Sequence, residues 1–133
     1  MDIRHAFNRI RVHGDSEELT TFRTRLGAYY SKVLPFGLTN GPATFQRYIN
    51  HVLFDCLDDF CTAYVDDILI YSESVKDHQK HVEAVLGRLR DAGLQVDLRK
   101  SEFHVLSTKF LGFIVTAGRG ISMDLKKVET IRN

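Results

Sequence analysis

Four shortages narrow the field before any motif is read. Cysteine is scarce: Cys56 and Cys61 are the only two, without metal-type spacing or a framework of further cysteines. That excludes a disulfide-stapled secreted scaffold, and the pair reads as reduced core thiols of an intracellular protein. No apolar run reaches the roughly 20 residues of a membrane helix, and the opening residues carry no signal-peptide pattern. Proline occurs only twice, so Pro-rich linkers are missing, as are repeats and low-complexity tracts. Charge of one sign is not in excess either. Lys and Arg total 18 against 17 Asp and Glu, a formal net charge of +1. A free-standing, strongly basic nucleic-acid binder is therefore excluded, and any such surface is local or completed elsewhere.

What is present fits one globular domain. The 133 residues are 44% apolar and 26% charged, and such a chain buries roughly two-thirds of its unfolded surface. "MDIRHAFNRIRV" reads as a short strand running into a turn, and "LTTFRTRLGAYYSKVLPFG" as two strands around Gly27, closed by Pro35 and Gly37. In "TNGPATFQRYINHVLFDCLDD", Pro42 suits a first helical turn capped by Thr39 or Asn40. Phe45, Ile49, Val52, Leu53 and Cys56 then line one helix face.

"FCTAYV" and "ILIYS" read as strands buried on both faces, with Asp66 and Asp67 as the two-residue turn between them. Ser74 and Asp77 resemble a capping box for a second helix, whose apolar face is His78, Val82, Val85, Leu86 and Leu89, ending at Gly93. "LQVDL" and "SEFHV" look extended. "TKFLGFIVTAGRGI" reads as a hairpin around Gly118 and Gly120, and Asp124 as the cap of a last helix, "LKKVETIRN". This order predicts an α+β fold, with two main helices covering one face of an antiparallel sheet.

The adjacent carboxylates raise the functional question. Acidic pairs are common in turns, and Asp58-Asp59 is another. A two-residue hairpin, however, favours Asn-Gly or Asp-Gly because it needs positive φ. Asp66-Asp67 supplies no glycine and adds like-charge repulsion of about 1 kcal/mol even in water. Either the pair caps a hairpin in water, or it holds a cation. Mg²⁺ takes carboxylate oxygens, and two such ions clamp both oxygens of a phosphoryl transfer. Asp2, at a strand end, is the candidate third carboxylate. His78 and His81 lie three apart on a helix, but no cysteine or acidic pair stands near enough in sequence to suggest zinc.

"YVDDILIYS" resembles the catalytic motif of reverse transcriptases. "DIRHAF" resembles their first aspartate motif, and "LPFGLTNGPATFQR" their nucleotide-binding loop and helix. "GLQVDLRKSEF" and "TKFLGFIV" resemble the two motifs that follow, and the wording is closest to Ty3/gypsy-type long-terminal-repeat retrotransposons. The resemblance runs from Asp2 to about Ile131.

It implies a reverse transcriptase palm acting as an RNA-directed DNA polymerase. Asp2, Asp66 and Asp67 match the ligands of two Mg²⁺ ions, with Mn²⁺ as a possible substitute. Phe7 matches the aromatic that excludes a ribose 2′-hydroxyl. Phe36 and Gly37 match the loop on the incoming deoxynucleoside triphosphate, Gln46 a template-side contact, and Tyr64 and Val65 neighbours of the primer terminus. Lys100 matches a proton donor to pyrophosphate, and Phe110, Leu111 and Gly112 match the primer grip. Implied partners are an RNA or DNA template with primer and the remaining polyprotein domains (fingers, thumb and ribonuclease H), without a membrane. The implied location is a cytoplasmic virus-like particle or the nucleus.

Residues 1–133 correspond to the palm with part of the fingers. The Lys and Arg that grip the triphosphate in the family have no counterpart here, and Asp2 falls where strand ends are poorly held. A second function therefore stays open: a truncated, non-catalytic retrotransposon remnant serving at most as an interaction domain.

Overall fold

The computed structural model describes residues 1–124. The helix anticipated over "LKKVETIRN", and the last stretch of the resemblance, lie outside the described residues.

Two helices organise the core. The first, α1 (Gly41–Val52), starts at Asn40 with Pro42 in its first turn, where a missing N–H costs nothing. The Asn40 side chain makes no capping bond. The second, α2 (Val75–Asp91), starts at Ser74, whose hydroxyl accepts from the Asp77 amide and donates to the Asp77 carboxylate. That bond holds the Asp77 carboxyl below its usual range. The helix ends before Gly93, which takes the left-handed φ of +71°.

The apolar faces converge as their spacing predicts. Phe45, Ile49 and Leu53 of the first helix segment and Val85 and Leu89 of the second form one cluster with Ile3, Cys56, Cys61, Ile68 and Leu94. Burial pushes the Cys61 thiol up to about 12, aided by Cys56, so neither cysteine is poised as a nucleophile.

The strands are antiparallel, as an α+β fold requires, but they do not form one continuous sheet. The hairpin β1 (Phe22–Thr24) and β2 (Gly27–Tyr29) is fully exposed, and Gly27 opens its second strand instead of occupying the turn. The central hairpin pairs β3 (Cys61–Tyr64) with β4 (Asp67–Ile70). A three-stranded sheet joins β5 (Ser107–Phe110), β6 (Phe113–Thr116) and β7 (Gly120–Met123). Its extra turn at Leu111-Gly112 has positive φ at both residues, the pattern of a primed two-residue turn.

Three expectations need correcting. Tyr64 pairs directly with Asp67, so the central turn is Val65-Asp66, not Asp66-Asp67. The flanking strands bury only Cys61 and Ile68 fully. Their other residues are half-buried or exposed, because the helices cover a single face. Finally, "LQVDL" and "SEFHV" form no strands; only Val96 pairs, in an isolated bridge with Ile3.

That bridge ties the start of the chain into the fold. The segment around Asp2 and Ile3 lies between β4 on one side and Val96 on the other, through the bridges Asp2–Asp67 and Ile3–Val96. The start of the chain is thereby pinned from both edges, contrary to the expectation of a loose strand end.

Candidate active site

The Asp2–Asp67 pairing has a specific geometry. Ile3 N–H donates to the Asp66 carbonyl at 2.9 Å, and Ile68 N–H donates to the Met1 carbonyl at 2.8 Å. Those bonds flank Asp2 and Asp67, making the two a non-hydrogen-bonded antiparallel pair. In such pairs the Cα atoms approach to about 4.5 Å and the side chains project to the same face. Asp66 follows in the adjoining turn. The backbone pairing thus sets Asp2 beside the adjacent Asp66 and Asp67 at one end of the hairpin.

Their electrostatics report the crowding. Desolvation pushes the Asp2 carboxyl up, Lys100 pulls it back, and Asp66 and Asp67 push it up again. Desolvation and then Asp66 raise Asp67. Repulsive clustering of hard oxygen donors at a site open to water is chemistry that suits a divalent cation. Among the described residues, no three His, Cys, Asp or Glu side chains converge into a ready-made metal cage. The donor set fits oxygen-seeking ions that also draw ligands from water and substrate phosphates.

The turn itself is strained. Val65 has φ of +52°, whereas Asp66 does not enter the positive-φ region. A primed turn of this pattern prefers glycine at its first central position, and a β-branched residue there is an outlier costing about 1–3 kcal/mol. Gln46 supplies compensation. Its Oε1 accepts from Val65 N–H at 2.6 Å, and its Nε2 donates to the Ala63 carbonyl at 3.0 Å and to Asn50 Oδ1 at 2.8 Å. The Gln46 amide is therefore engaged by the hairpin and by its own helix.

Phe7 and Phe36 also come together. Residues 10–12 pair with 32–34 through Arg11–Val33, with Leu34 N–H on the Ile10 carbonyl and Val12 N–H on the Lys32 carbonyl. This carries the exposed Phe36 ring to 5.7 Å from Phe7 in an edge contact. Phe7 leans in turn on the buried Phe45 at 5.9 Å. Gly37 follows with φ of +99°, which a side chain would strain. Tyr64 is exposed beside the turn. Phe110, Leu111 and Gly112 sit at the first turn of the three-stranded sheet.

Sequence reading missed Ser101 and Asp97. Asp2 N–H donates to Ser101 Oγ at 3.1 Å, and Asp97 N–H donates to the Asp2 carbonyl at 2.9 Å. A polar residue beside Lys100 was the only available signal. The histidines have local partners. Ser72 Oγ lies 3.0 Å from His78 Nδ1 and 2.7 Å from His81 Nδ1, and His81 stacks on Phe60. They border a groove of about 800 Å³ that touches none of the sequence-predicted site residues.

An α+β palm with strand-end carboxylates beside a strained hairpin is the class of protein this geometry defines. Comparison with known proteins narrows it. Residues 1–115 match the family described as reverse transcriptase (RNA-dependent DNA polymerase). The chain is 42% identical over 131 residues to the retrovirus-related Pol polyprotein from transposon opus of Drosophila melanogaster, covering 98% of this chain and 13% of that one. It is 37% identical over 116 residues to the transposon Tf2-3 polyprotein of Schizosaccharomyces pombe, covering 87% and 9% respectively. A solved structure of the foamy viral protease-reverse transcriptase in complex with RNA/DNA hybrid superposes with a TM-score of 0.86 and 30% identity. That match covers 99% of this chain and 18% of the viral one.

The chain belongs to the reverse transcriptase family. Its relatives are polyproteins of Ty3/gypsy-type retrotransposons, and it spans a small part of each. The family as a whole works with divalent metal ions.

Proposed function

We propose that this chain is the palm, with part of the fingers, of an RNA-directed DNA polymerase, and that it carries out nucleotidyl transfer from a deoxynucleoside triphosphate to a primer 3′-hydroxyl. The observation carrying this reading is the non-hydrogen-bonded pairing of Asp2 with Asp67 beside Asp66. Asp2, Asp66 and Asp67 would hold two Mg²⁺ ions, or Mn²⁺ in their place. When bound, these ions make the primer hydroxyl a better nucleophile and neutralise charge on the leaving group. In the reaction the primer oxygen bonds to the α-phosphorus, the bond from that phosphorus to pyrophosphate breaks, and the hydroxyl proton passes to water.

The chain's own residues orient and select. Phe7, held between Phe45 and Phe36, forms the floor under the incoming sugar and rejects a 2′-hydroxyl. Phe36 and Gly37 line the nucleotide. Tyr64 and Val65 meet the primer terminus, and Phe110, Leu111 and Gly112 grip the primer strand. Lys100, within electrostatic reach of Asp2 and Asp67, donates a proton to the departing pyrophosphate. Gln46 serves the template side through the hairpin it supports. Template, primer and the other polyprotein domains are the partners; the RNA/DNA hybrid bound by the foamy viral relative supports the nucleic-acid part.

Primer extension on an RNA template tests this, with Mg²⁺ and then Mn²⁺, comparing the chain with its Asp66→Asn variant. Extension by the chain and its loss in the variant is the expected result. No extension by either protein would overturn it and leave the non-catalytic palm.

A further inference from the structure

Asp2 differs from the other two carboxylates in how it is held. Asp66 and Asp67 belong to a hairpin whose register is set by four cross-strand pairs. Asp2 belongs to no strand; it pairs through one isolated bridge, to Asp67. Because Asp2 and Asp67 are a non-hydrogen-bonded pair, the Asp2 amide and carbonyl both point away from the hairpin.

Both meet the turn at 97–101. The Asp2 carbonyl accepts from Asp97 N–H at 2.9 Å. The Asp2 N–H donates to Ser101 Oγ at 3.1 Å, while the Ser101 hydroxyl donates to the Asp97 carbonyl at 2.7 Å. One hydroxyl thus uses its donor on the turn and a lone pair on Asp2, closing a ring between the two segments. The turn is shaped independently. Asp97 Oδ1 accepts from Arg99 N–H at 3.0 Å, and the Asp97 carbonyl also accepts from Lys100 N–H at 3.2 Å. Lys100 is therefore carried on a loop attached to Asp2 at two points, the Asp97 amide and the Ser101 hydroxyl.

We propose that Ser101 is a positioning residue for the transfer reaction: its hydroxyl clasps the Asp2 segment to the Lys100 turn, and so fixes Asp2 against Asp66 and Asp67. The inference rests on the function proposed above for the three carboxylates. Alanine removes this side-chain link and leaves Asp2 N–H without the Ser101 acceptor. Threonine retains the hydroxyl. Cysteine keeps the size but is a weak donor and acceptor.

The test compares the wild-type chain with Ser101→Ala, Ser101→Thr and Ser101→Cys in three measurements. These are hydrogen exchange at the Asp2 and Asp97 amides, Mn²⁺ affinity, and single-nucleotide incorporation at saturating and limiting triphosphate. Outer partners of metal ligands typically contribute about 10–100-fold to affinity or activity. Ser101→Ala and Ser101→Cys are expected to lose protection at Asp2 and Asp97 and to bind Mn²⁺ about tenfold more weakly. Incorporation should fall in kcat with little change in KM, and Ser101→Thr should restore all three. The cysteine variant preserves the comparison if alanine prevents folding. Unchanged Mn²⁺ affinity in a folded Ser101→Cys chain, or loss of all function in Ser101→Thr, would overturn the inference. If the wild-type chain extends no primer, the polymerase reading fails, and exchange with Mn²⁺ affinity still decides whether the clasp exists.

Discussion

Asp67 illustrates how a single side chain can carry a cost in the folded state. Desolvation and Asp66 raise its carboxyl above the ordinary value, so the folded chain holds its proton more tightly than the unfolded chain does. Stability contributed by this position therefore falls as pH rises from the unfolded value through the raised folded value, and the cost is fully present above the latter. Asp67→Asn removes the charge while keeping the shape. Thermal unfolding at pH 7 without divalent ions is expected to occur at a higher temperature in the variant than in the wild type. The gain should shrink as pH falls and vanish below the unfolded value near 3.8. Saturating Mg²⁺ should narrow or reverse the gap, because only the wild type keeps all three carboxylates. An equal gain at every pH would show that charge is not its source.

The central hairpin is where local preference and tertiary demand conflict. Val65 sits at positive φ, against the steric preference of a β-branched residue. Each fully buried aliphatic or aromatic side chain in the core contributes about 1.5–3 kcal/mol. Several of them, with Gln46 across the turn, outweigh the strain of one residue. Gln46→Ala is expected to destabilise the chain by about 1–3 kcal/mol, the cost of stranding a half-buried amide. Glycine at position 65 accepts positive φ without strain. Val65→Gly should therefore be less harmful, or helpful, in the Gln46→Ala background than in the wild type. Denaturant unfolding of the four proteins measures that coupling. Simple additivity would show that Gln46 does not support the strained turn.

At the scale of the whole molecule, several large apolar side chains stay exposed among the described residues. They include Phe22 and Leu26 at the first hairpin and Phe113, Ile121 and Met123 on the three-stranded sheet. Exposed apolar surface of this kind favours association. Light scattering across a concentration series should show the isolated chain forming oligomers with other copies of itself, with replacement of Ile121 and Met123 by Lys reducing the effect. A strictly monomeric chain at millimolar concentration would contradict this.

Element identity was legible wherever one short-range rule dominated. The apolar faces of both helices, Pro42 in the first turn, the Ser74-Asp77 cap and the terminating Gly93 all follow from local spacing and capping chemistry, and the structure has them. The motif wording likewise pointed to the family. Contacts between distant segments were not legible. The turn moved by one residue because pairing of Tyr64 with Asp67 outweighed the steric preference of Val65. Gln46 found its partners across the hairpin, and Ser101 closed on a residue 99 positions away. Such pairings depend on which backbone groups remain unsatisfied once the helices and hairpin have packed, and no periodicity along the chain records that.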